Sequence, residues 1–494
     1  MDVTRDNFEH ALAEFQQAIS TCDFAAIDME MTGLYEDRAR QPSRLDTKHE
    51  RYTKLLQSVE SYGVIQVGIC LFSWVEGQAD ERKDGSIGYY EARPFNFNVF
   101  PCTSVAGFPV EMHFGCKNTA FEFLARNSFD FNKWVYQGVP YLNAAQADRI
   151  RADRVGLLTK RQPCVEVDET HKPFVKELEA SLRRFMKNKS EKVLRCETAN
   201  SYQRKLVHDA VARHNTLGTR SRNGSLEIIK GTRKAMARHV AKKVYALNSS
   251  INEARGFCQI VDLLSAARKP VVGHNMLLDV MHAFSKFQQP LPASRTEFGR
   301  KLAQFLPILI DTKYVIESTP AIKARYRTSN LDEIGPMLEQ ETVRNHTHGM
   351  IRNHPRFAHD STHAMHEAGY DAYMTGATFI RLLNLEGELD LSASSVSSEL
   401  VLYRYINRLY VALGDELYWN LTDDSVKEAR ASRAKHVHDE ASSAAAAVAV
   451  ADDDDGTGST VSLSDADEDD CLSTDAASAF DDDLTPELDN LCLT

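Results

Sequence analysis

The spacing of apolar positions predicts a fold in which strands and helices are mixed. The runs at 24–31 and 63–72, and the alternation of Phe95, Phe97 and Val99, are typical of buried strands. Helical spacing recurs in 174–185 and 202–211, both rich in Lys and Arg. We therefore expect an α/β protein with a mixed sheet flanked by helices.

Two carboxylates interrupt the first predicted strand. Asp28 and Glu30 stand two positions apart in Phe24–Met31, and side chains two apart on a strand project from the same face. A third carboxylate, Asp279, follows the short apolar run Pro270–Gly273, where the pattern leaves a strand and enters a helix. We expect the fold to bring these three carboxylates together.

A histidine precedes a fourth carboxylate in His366-Glu-Ala-Gly-Tyr-Asp371. A continuous α-helix would turn the two side chains about 140° apart over five residues. Gly369 between them permits a break. We therefore place His366 on a loop or first helical turn and Asp371 within the helix 370–380.

Four carboxylates and one histidine are the residue types that a metal-dependent nuclease needs. Two hard cations about 3.5–4 Å apart can activate water and stabilise the leaving oxygen of a phosphodiester. Mg²⁺ prefers oxygen ligands, so we expect two Mg²⁺ ions to be held by Asp28, Glu30, Asp279 and Asp371. His366 is the candidate general base, because imidazole titrates near neutral pH.

Each motif also has a structural interpretation. Asp28 and Glu30 could belong to ion pairs, and Asp279 could satisfy backbone donors at a helix start. Five other histidines form a polar stretch that is more typical of a solvated loop than of a zinc site. They are His346, His348, His354, His359 and His363. The combined order of the acidic motifs and His366 favours the nuclease.

Charge divides the 494-residue chain unevenly. Residues 451–494 hold 15 acidic and no Lys or Arg side chains, so the first 450 residues carry +3 of the total −12. Segment 165–244 holds 19 basic and 9 acidic residues, a surplus that suits a phosphate-binding face. We expect a nuclease domain in two parts, 1–164 and 247–425, an inserted nucleic-acid-binding domain at 165–246, and a disordered acidic tail at 426–494.

Cysteine usage and hydropathy bear on the compartment. The nine cysteines are scattered singly without a Cys-x-x-Cys pair, which argues for a reducing environment and against a disulfide scaffold. The N-terminus lacks a secretory pattern, and no apolar run approaches ~20 residues. We therefore expect an intracellular protein of the cytoplasm, the nucleus or both, without a membrane span.

Motifs spread over residues 20–420 occur in one characteristic order. They include Asp28-x-Glu30 with Gly33, Glu50–Leu55, Phe95–Pro101, Phe129–Lys133, Pro140–Asn143, Val271–His282, Asp311–Lys313 and His366–Tyr373. This set resembles the poly(A)-specific ribonuclease family, whose members are DEDD-type 3′ exoribonucleases with a histidine. The basic segment, with Arg204-x-x-x-His208, resembles that family's Arg-x-x-x-His nucleic-acid-binding domain.

The resemblance implies a ribonuclease H-like fold and a homodimer that removes adenylates from single-stranded RNA. Asp28, Glu30, Asp279 and Asp371 match the metal-binding carboxylates, and His366 matches the catalytic histidine. Further positions match residues that bind RNA: Asn275 and Lys313, which contact the strand; Met31 and Leu34, which pack on the terminal base; Phe121 and Phe123, where the partner subunit lends side chains; and Arg204 and His208 of the inserted domain.

The chain departs from the family at two places. Met31 stands where an aromatic residue is often found, although a thioether also packs on rings. The acidic tail begins soon after Trp419, where typical members continue into a cap-binding domain, so cap binding is doubtful. The tail itself could compete with RNA for the basic surface or serve only solubility, and Ser464 before acidic residues is a candidate phosphorylation site.

The leading hypothesis is a magnesium-dependent 3′-to-5′ exoribonuclease that shortens poly(A) and releases 5′-AMP. Two other enzymes remain open, a trimmer of small or structured non-coding RNA 3′ ends and a single-stranded DNA exonuclease. A catalytically silent RNA-binding scaffold is the alternative from another class. The complete set of five site residues argues against the scaffold, because an inactive relative usually loses at least one of them.

Overall fold

The computed structural model describes most of the first 421 residues. Residues 1–425 belong to one compact unit. The described ranges are 1–37, 40–76, 88–159, 167–214, 216–222, 225–345, 351–357, 366–385, 404–413 and 416–421. The predicted acidic tail lies outside them, as do His346, His348, His359 and His363.

The described residues form fifteen strands. In chain order they are β1 (Asp2–Val3), β2 (Phe24–Met31), β3 (Val64–Val75), β4 (Tyr89–Pro101), β5 (Ser104–Val105), β6 (Phe108–Pro109), β7 (Val139–Tyr141), β8 (Val193–Cys196), β9 (Leu217–Arg222), β10 (Ser225–Lys230), β11 (Val271–Gly273), β12 (Leu309–Asp311), β13 (Ile351–Asn353), β14 (Arg408–Leu413) and β15 (Glu416–Asn420).

Fifteen α-helices accompany these strands in the described ranges. They are α1 (Phe8–Thr21), α2 (Lys48–Ser61), α3 (Asn118–Arg126), α4 (Phe131–Gln137), α5 (Ala144–Thr159), α6 (Lys172–Lys187), α7 (Ser201–Ala212), α8 (Arg233–Arg255), α9 (Cys258–Ala267), α10 (Leu277–Ala283), α11 (Arg295–Phe305), α12 (Thr312–Ser318), α13 (Pro320–Tyr326), α14 (Leu331–Asn345) and α15 (Ala368–Leu385). Short 3₁₀ turns at Arg5–Asn7 and Pro355–Phe357 and a π turn at Phe284–Gln288 complete the set.

The central sheet has eight strands, and β2 lies in its middle. The order is β1-β4-β3-β2-β11-β12, with β7 and β13 also paired to β4. Strand β3 runs antiparallel to its neighbours β2 and β4, whereas β11 and β12 are parallel to β2. This is the mixed sheet of an α/β protein that the sequence predicts.

Both faces of β2 are covered by helices, which explains its nearly continuous apolar sequence. Ala25, Ile27 and Met29 belong to the core cluster that includes side chains of α1, α2, α9 and α10. Phe24 and Ala26 belong to the cluster on the other face, with α12, α14 and α15. The same alternation places Asp28 and Glu30 on the face toward α15.

A smaller unit has its own sheet and core. Strands β8, β10 and β9 pair in that order, antiparallel throughout, and α6 and α7 pack on them. Its apolar cluster draws members only from positions between 174 and 228. The predicted boundary at 164 lies outside the described residues, and the one at 246 falls within α8, so the domain bounds stay a prediction.

Several local predictions are confirmed. Strand β2 has the predicted bounds, β3 covers all but the first residue of the predicted 63–72, β4 includes the predicted 95–99, and α6, α7 and α15 contain the predicted helices. Within the described part of the chain, no helix is both long and apolar enough to cross a membrane. The six cysteines described there are free thiols.

Candidate active site

Three carboxylates meet where β2 passes under the start of α15. One oxygen each of Asp28, Glu30 and Asp371 lies within 4.8 Å of the others. Asp28 and Glu30 are partly buried near the end of β2, and Asp371 lies in the first turn of α15. Among the described residues, this acidic group alone is compact enough to hold a metal ion.

Asp279 joins this cluster from the other side of β2. It lies in the first turn of α10, and its carboxylate accepts a hydrogen bond from the backbone N–H of Met29. That bond fixes Asp279 beside the strand segment that carries Asp28 and Glu30. The charge of Asp279 contributes to the raised pKa values of both.

Burial raises the pKa values of all four carboxylates, and the charges of the other members add to this for Asp28 and Glu30. For Asp28, burial and then the charges of Asp279, Asp371 and Glu30 hold the pKa well above its usual range. Burial, followed by Asp371 and Asp279, raises the pKa of Glu30 to about 8. The pKa values of Asp279 and Asp371 rise to about 7, in both cases chiefly through burial.

His366 lies in the turn before α15, as predicted, but the break has a different origin. The backbone turns at His366 itself, with φ of 66°, whereas Gly369 is already helical. Gly369 is small for another reason: a Cβ there would lie 2.7 Å from Cβ of Asn96. The backbone N–H of His366 hydrogen-bonds to the carboxylate of Asp371, which links the two residues directly.

A buried carboxylate, Asp311 at the end of β12, organises the segment that carries Asn275. Its Oδ1 accepts hydrogen bonds from the backbone N–H groups of Asn275 at 2.9 Å and Lys313 at 3.0 Å. Asn275 has φ of 57°, a left-handed conformation that asparagine tolerates. The Lys313 ammonium lies 5.3 Å from the ring centroid of Tyr410. Sequence reasoning quoted Asp311 in a motif but gave it no role.

A cavity of about 410 Å³ lies next to Glu30. It combines an apolar wall with a few polar groups, and three residues expected to contact the substrate are part of it. The lining residues are Met29, Glu30, Met31, Gly33, Leu34, Tyr35, Gln41, Lys117, Thr119, Ala120, Phe123 and Leu124. The polar side chains Gln41, Lys117 and Thr119 were not predicted, because they come from loops and helix α3 and carry no local pattern.

Phe121 and Phe123, expected where the partner subunit lends side chains to the pocket, occupy different environments within this chain. Phe123 is 44% exposed, lines the cavity and packs edge-to-face on the His366 imidazole with centroids 4.8 Å apart. Phe121 packs instead on Phe131 and Trp134, with centroids 4.9 and 6.4 Å away. Phe121 therefore supports α3, because it faces that aromatic cluster rather than the cavity.

Arg204 and His208 lie on α7 of the smaller unit and do not line the cavity. The Arg204 Nε lies 3.3 Å from the Thr198 hydroxyl, and the His208 Nδ1 lies 3.0 Å from the Thr219 hydroxyl. Burial, followed by the charge of Lys243, lowers the pKa of His208. The four-residue spacing places both side chains on one face of α7.

The donor set fits divalent metal ions. Its ligand atoms are carboxylate oxygens, which hard cations such as Mg²⁺ prefer, and a bound cation would offset the repulsion between these carboxylates. Asp28, Glu30 and Asp371, with Asp279 beside them, are the residues that would hold such ions. The backbone N–H of His366 bonds to Asp371 of this cluster, and its imidazole packs on Phe123 of the cavity.

Comparisons with known proteins show that the chain is similar to ribonucleases. Residues 3–379 match the family model "CAF1 family ribonuclease". "Poly(A)-specific ribonuclease PARN" of Danio rerio is 30% identical over 455 residues, covering 87% of this chain and 67% of that protein. "Pre-piRNA 3'-exonuclease trimmer" of Bombyx mori is 24% identical, covering 86% of this chain and 79% of that protein.

The family match defines the class of protein. The chain belongs to the CAF1 family of ribonucleases. It is similar to poly(A)-specific ribonucleases over most of its length and spans about two thirds of the Danio rerio protein. The Mg²⁺- and Mn²⁺-bound structure of S. pombe Pop2p aligns with 15% identity and a TM-score of 0.39, covering 83% of this chain and 98% of that one.

Proposed function

We propose that this ribonuclease is a Mg²⁺-dependent 3′-to-5′ exonuclease that shortens poly(A) and releases 5′-AMP. The observation that carries the proposal is the meeting of Asp28, Glu30 and Asp371 beside an apolar cavity. A terminal base suits the cavity in size and polarity, and the adjoining carboxylates suit the phosphodiester chemistry. The names of the poly(A)-specific relatives support adenylate as the substrate.

Each side chain takes a specific role in this proposal. Two Mg²⁺ ions, when bound by the four carboxylates, supply Lewis-acid stabilisation of the charge that develops on the phosphodiester. His366 accepts the proton of the attacking water at a ring nitrogen. Met31, Leu34 and Phe123 pack on the terminal base and exclude water from it, and Asn275 and Lys313 orient the strand.

The proposal extends to the assembly and the compartment. The basic surplus of the smaller unit supports binding to single-stranded RNA beyond the active site, with Arg204 and His208 on its RNA-facing surface. We include a homodimer, by resemblance to the family, and make no claim for cap binding. The free thiols of the described cysteines support an intracellular location in the cytoplasm, the nucleus or both.

A trimmer of small or structured RNA 3′ ends is the second candidate. The similarity to the Bombyx mori pre-piRNA trimmer favours it, because that alignment covers most of both chains. The two candidates use the same chemistry and differ in the RNA that reaches the site. A comparison of rates on different RNA substrates therefore separates the two candidates, whereas mutation of the carboxylates does not.

Labelled homopolymers test both candidates. Purified protein with Mg²⁺ is incubated with 5′-labelled oligo(A), oligo(C), oligo(G) and oligo(U), and with a hairpin RNA that carries a mixed-sequence 3′ extension. We expect oligo(A) to shorten one nucleotide at a time, at least about 10-fold faster than the others. Equal rates on oligo(A) and the hairpin extension would favour the trimmer. Intact RNA throughout would support the silent scaffold.

A further inference from the structure

The turn that presents His366 has a backbone conformation that needs support from elsewhere in the fold. Its φ of 66° lies in the left-handed region, which non-glycine residues seldom occupy. Such conformations persist where surrounding contacts hold them. The ring of His366 contacts Phe123, but this half-exposed side chain supports the imidazole from one side only.

The residues that follow His366 are tied to the neighbouring strands by two buried amides. Gln66 of β3 accepts a hydrogen bond from the Ala368 N–H at 3.0 Å, and Asn96 of β4 accepts one from the Gly369 N–H at 3.2 Å. The same Asn96 amide donates to Glu367 Oε1 at 2.6 Å. Asn96 thus holds both the backbone and a side chain of the turn.

Asn96 is itself held from the opposite side. Its Nδ2 also lies 3.2 Å from Oδ1 of Asp2, and Asp2 forms an ion pair with Lys133. Asn96 is only 5% exposed, so water competes little for these hydrogen bonds. The amide therefore has little freedom to rotate away from Glu367 and Gly369.

Close packing between the turn and the sheet makes this arrangement rigid. Gly68 of β3 lies opposite Asp28 in the register, and a Cβ at Gly68 would lie 1.7 Å from the Ala368 carbonyl oxygen. The start of α15 thus rests directly on the backbone of β3. Displacing the turn would require movement of the sheet or loss of the hydrogen bonds from Asn96 and Gln66.

We propose that Asn96 is a positioning residue for His366, acting through Glu367 and the backbone of Gly369. The inference rests on the proposed nuclease function, in which His366 accepts a proton. Asn96 touches neither the cavity nor the acidic cluster. Its effect on the reaction passes through the angle at which the turn presents the imidazole.

Substitutions of Asn96 and Glu367 test this role through steady-state kinetics on oligo(A). Asn96→Ala and Glu367→Ala should each lower kcat roughly 10- to 100-fold, as small misplacements do, with KM within about twofold of the wild type. Glu367→Gln should retain kcat, because the amide oxygen still accepts from Asn96. Glu367 is less buried than Asn96, so its variants keep the test usable if Asn96→Ala folds poorly.

Asn98 supplies the matched control. It lies two residues along the same strand, is 2% exposed, and bonds to Asp2 and the Val3 carbonyl. Asn98→Ala should reduce thermal stability about as much as Asn96→Ala does but leave kcat within about twofold. An equal loss of kcat in both variants would assign the effect to general packing and overturn the inference.

A double-mutant cycle isolates the dependence on His366. In a His366→Ala background, Asn96→Ala should have no further effect on kcat. If the kcat of the double variant falls by the product of the two single losses, Asn96 acts on another group, such as Asp371, and the inference is overturned. Failure of the proposed function gives a different result: the wild type would leave oligo(A) intact, or His366→Ala would match the wild type. If kcat falls strongly in His366→Ala but is unchanged in Asn96→Ala, the positioning role is rejected and the proposed function stands.

Discussion

At the scale of single residues, the four clustered carboxylates set how the metal-free protein responds to pH. Their pKa values are raised, to about 8 for Glu30 and about 7 for Asp279 and Asp371. Between pH ~4 and ~8, the folded protein therefore retains protons that the unfolded chain releases. Stability from this source is fully present near pH 4 and is lost as the pH rises toward 8.

We expect the metal-free wild type to lose thermal stability from pH 5 to pH 8, and Mg²⁺ to restore it most at pH 8. Thermal unfolding in EDTA and in Mg²⁺ at pH 5, 6.5 and 8 measures both effects. Glu30→Gln removes one of the repelling charges, so it should be more stable than the wild type in EDTA at pH 8 and gain less from Mg²⁺. The same pH dependence in both proteins would contradict the assignment to this cluster.

At the scale of elements, the buried Asp311 joins three segments of chain. Its two oxygens accept hydrogen bonds from backbone N–H groups after β11, at the start of α12 and in β14. Asn275 and Lys313 both depend on these bonds for their backbone positions. The carboxylate therefore helps to position the two residues that we propose orient the RNA strand.

Asp311→Asn should destabilise the fold measurably. An amide offers one acceptor oxygen, so at least two buried N–H groups lose their partner, at about 1–3 kcal/mol each. Urea unfolding gives the free energy. Asp130 is the control, because one of its oxygens caps α4 in an exposed setting by accepting from the N–H groups of Asn132 and Lys133. Asp130→Asn should lower the free energy of unfolding by under ~1 kcal/mol. Equal losses for the two variants would contradict the role given to Asp311.

The elements also show which features a sequence can predict. The bounds of β2 and the shared face of Asp28 and Glu30 follow from alternation, which is local. The origin of the break before α15 could not be predicted in this way. Gly369 is required by its contact with Asn96, which lies some 270 positions away in the sequence. Asn96 and Asn98, which alternate with Phe95 and Phe97, were a visible signal, since buried polar residues in a strand need partners.

The same distinction applies to the residues around the substrate cavity. The family resemblance placed Met31 and Leu34 near the terminal base, and both line the cavity. Phe121 and Phe123 stand two residues apart, a spacing that would place them on one face of a strand. Because α3 is a helix, the two side chains instead diverge by about 200° and meet different surroundings. Tertiary packing therefore determines which of the two phenylalanines faces the cavity, and the local motif does not.

At the scale of the whole molecule, helix α8 links the smaller unit to the nuclease body. Lys243 donates to the carbonyl of Thr219 in β9 at 3.3 Å, whereas Leu247 and Ile251 pack in the cluster that includes Leu142. One continuous helix thus contacts both parts. Removing the segment up to 246 would cut this helix, so substitutions within the unit are the better test of RNA binding.

Arg204→Ala should weaken binding to long single-stranded RNA of any base composition. If the guanidinium neutralises one phosphate, the slope of log Kd against log salt should become shallower by about 0.7. Fluorescence anisotropy across a salt series measures the slope, and kcat on a short oligo(A) should be unchanged. Arg268→Ala, in the nuclease body, should leave the slope as in the wild type. An unchanged slope in Arg204→Ala would place the RNA surface elsewhere.

The central claim is that the carboxylates around Asp28 catalyse removal of nucleotides from an RNA 3′ end. The most direct test compares wild type and Asp28→Asn on 5′-labelled oligo(A) with Mg²⁺, at matched folding and RNA affinity. The wild type should give a ladder that shortens from the 3′ end, with 5′-AMP as product, and Asp28→Asn should be slower by orders of magnitude. An Asp28→Asn protein that degrades oligo(A) near the wild-type rate would contradict the account.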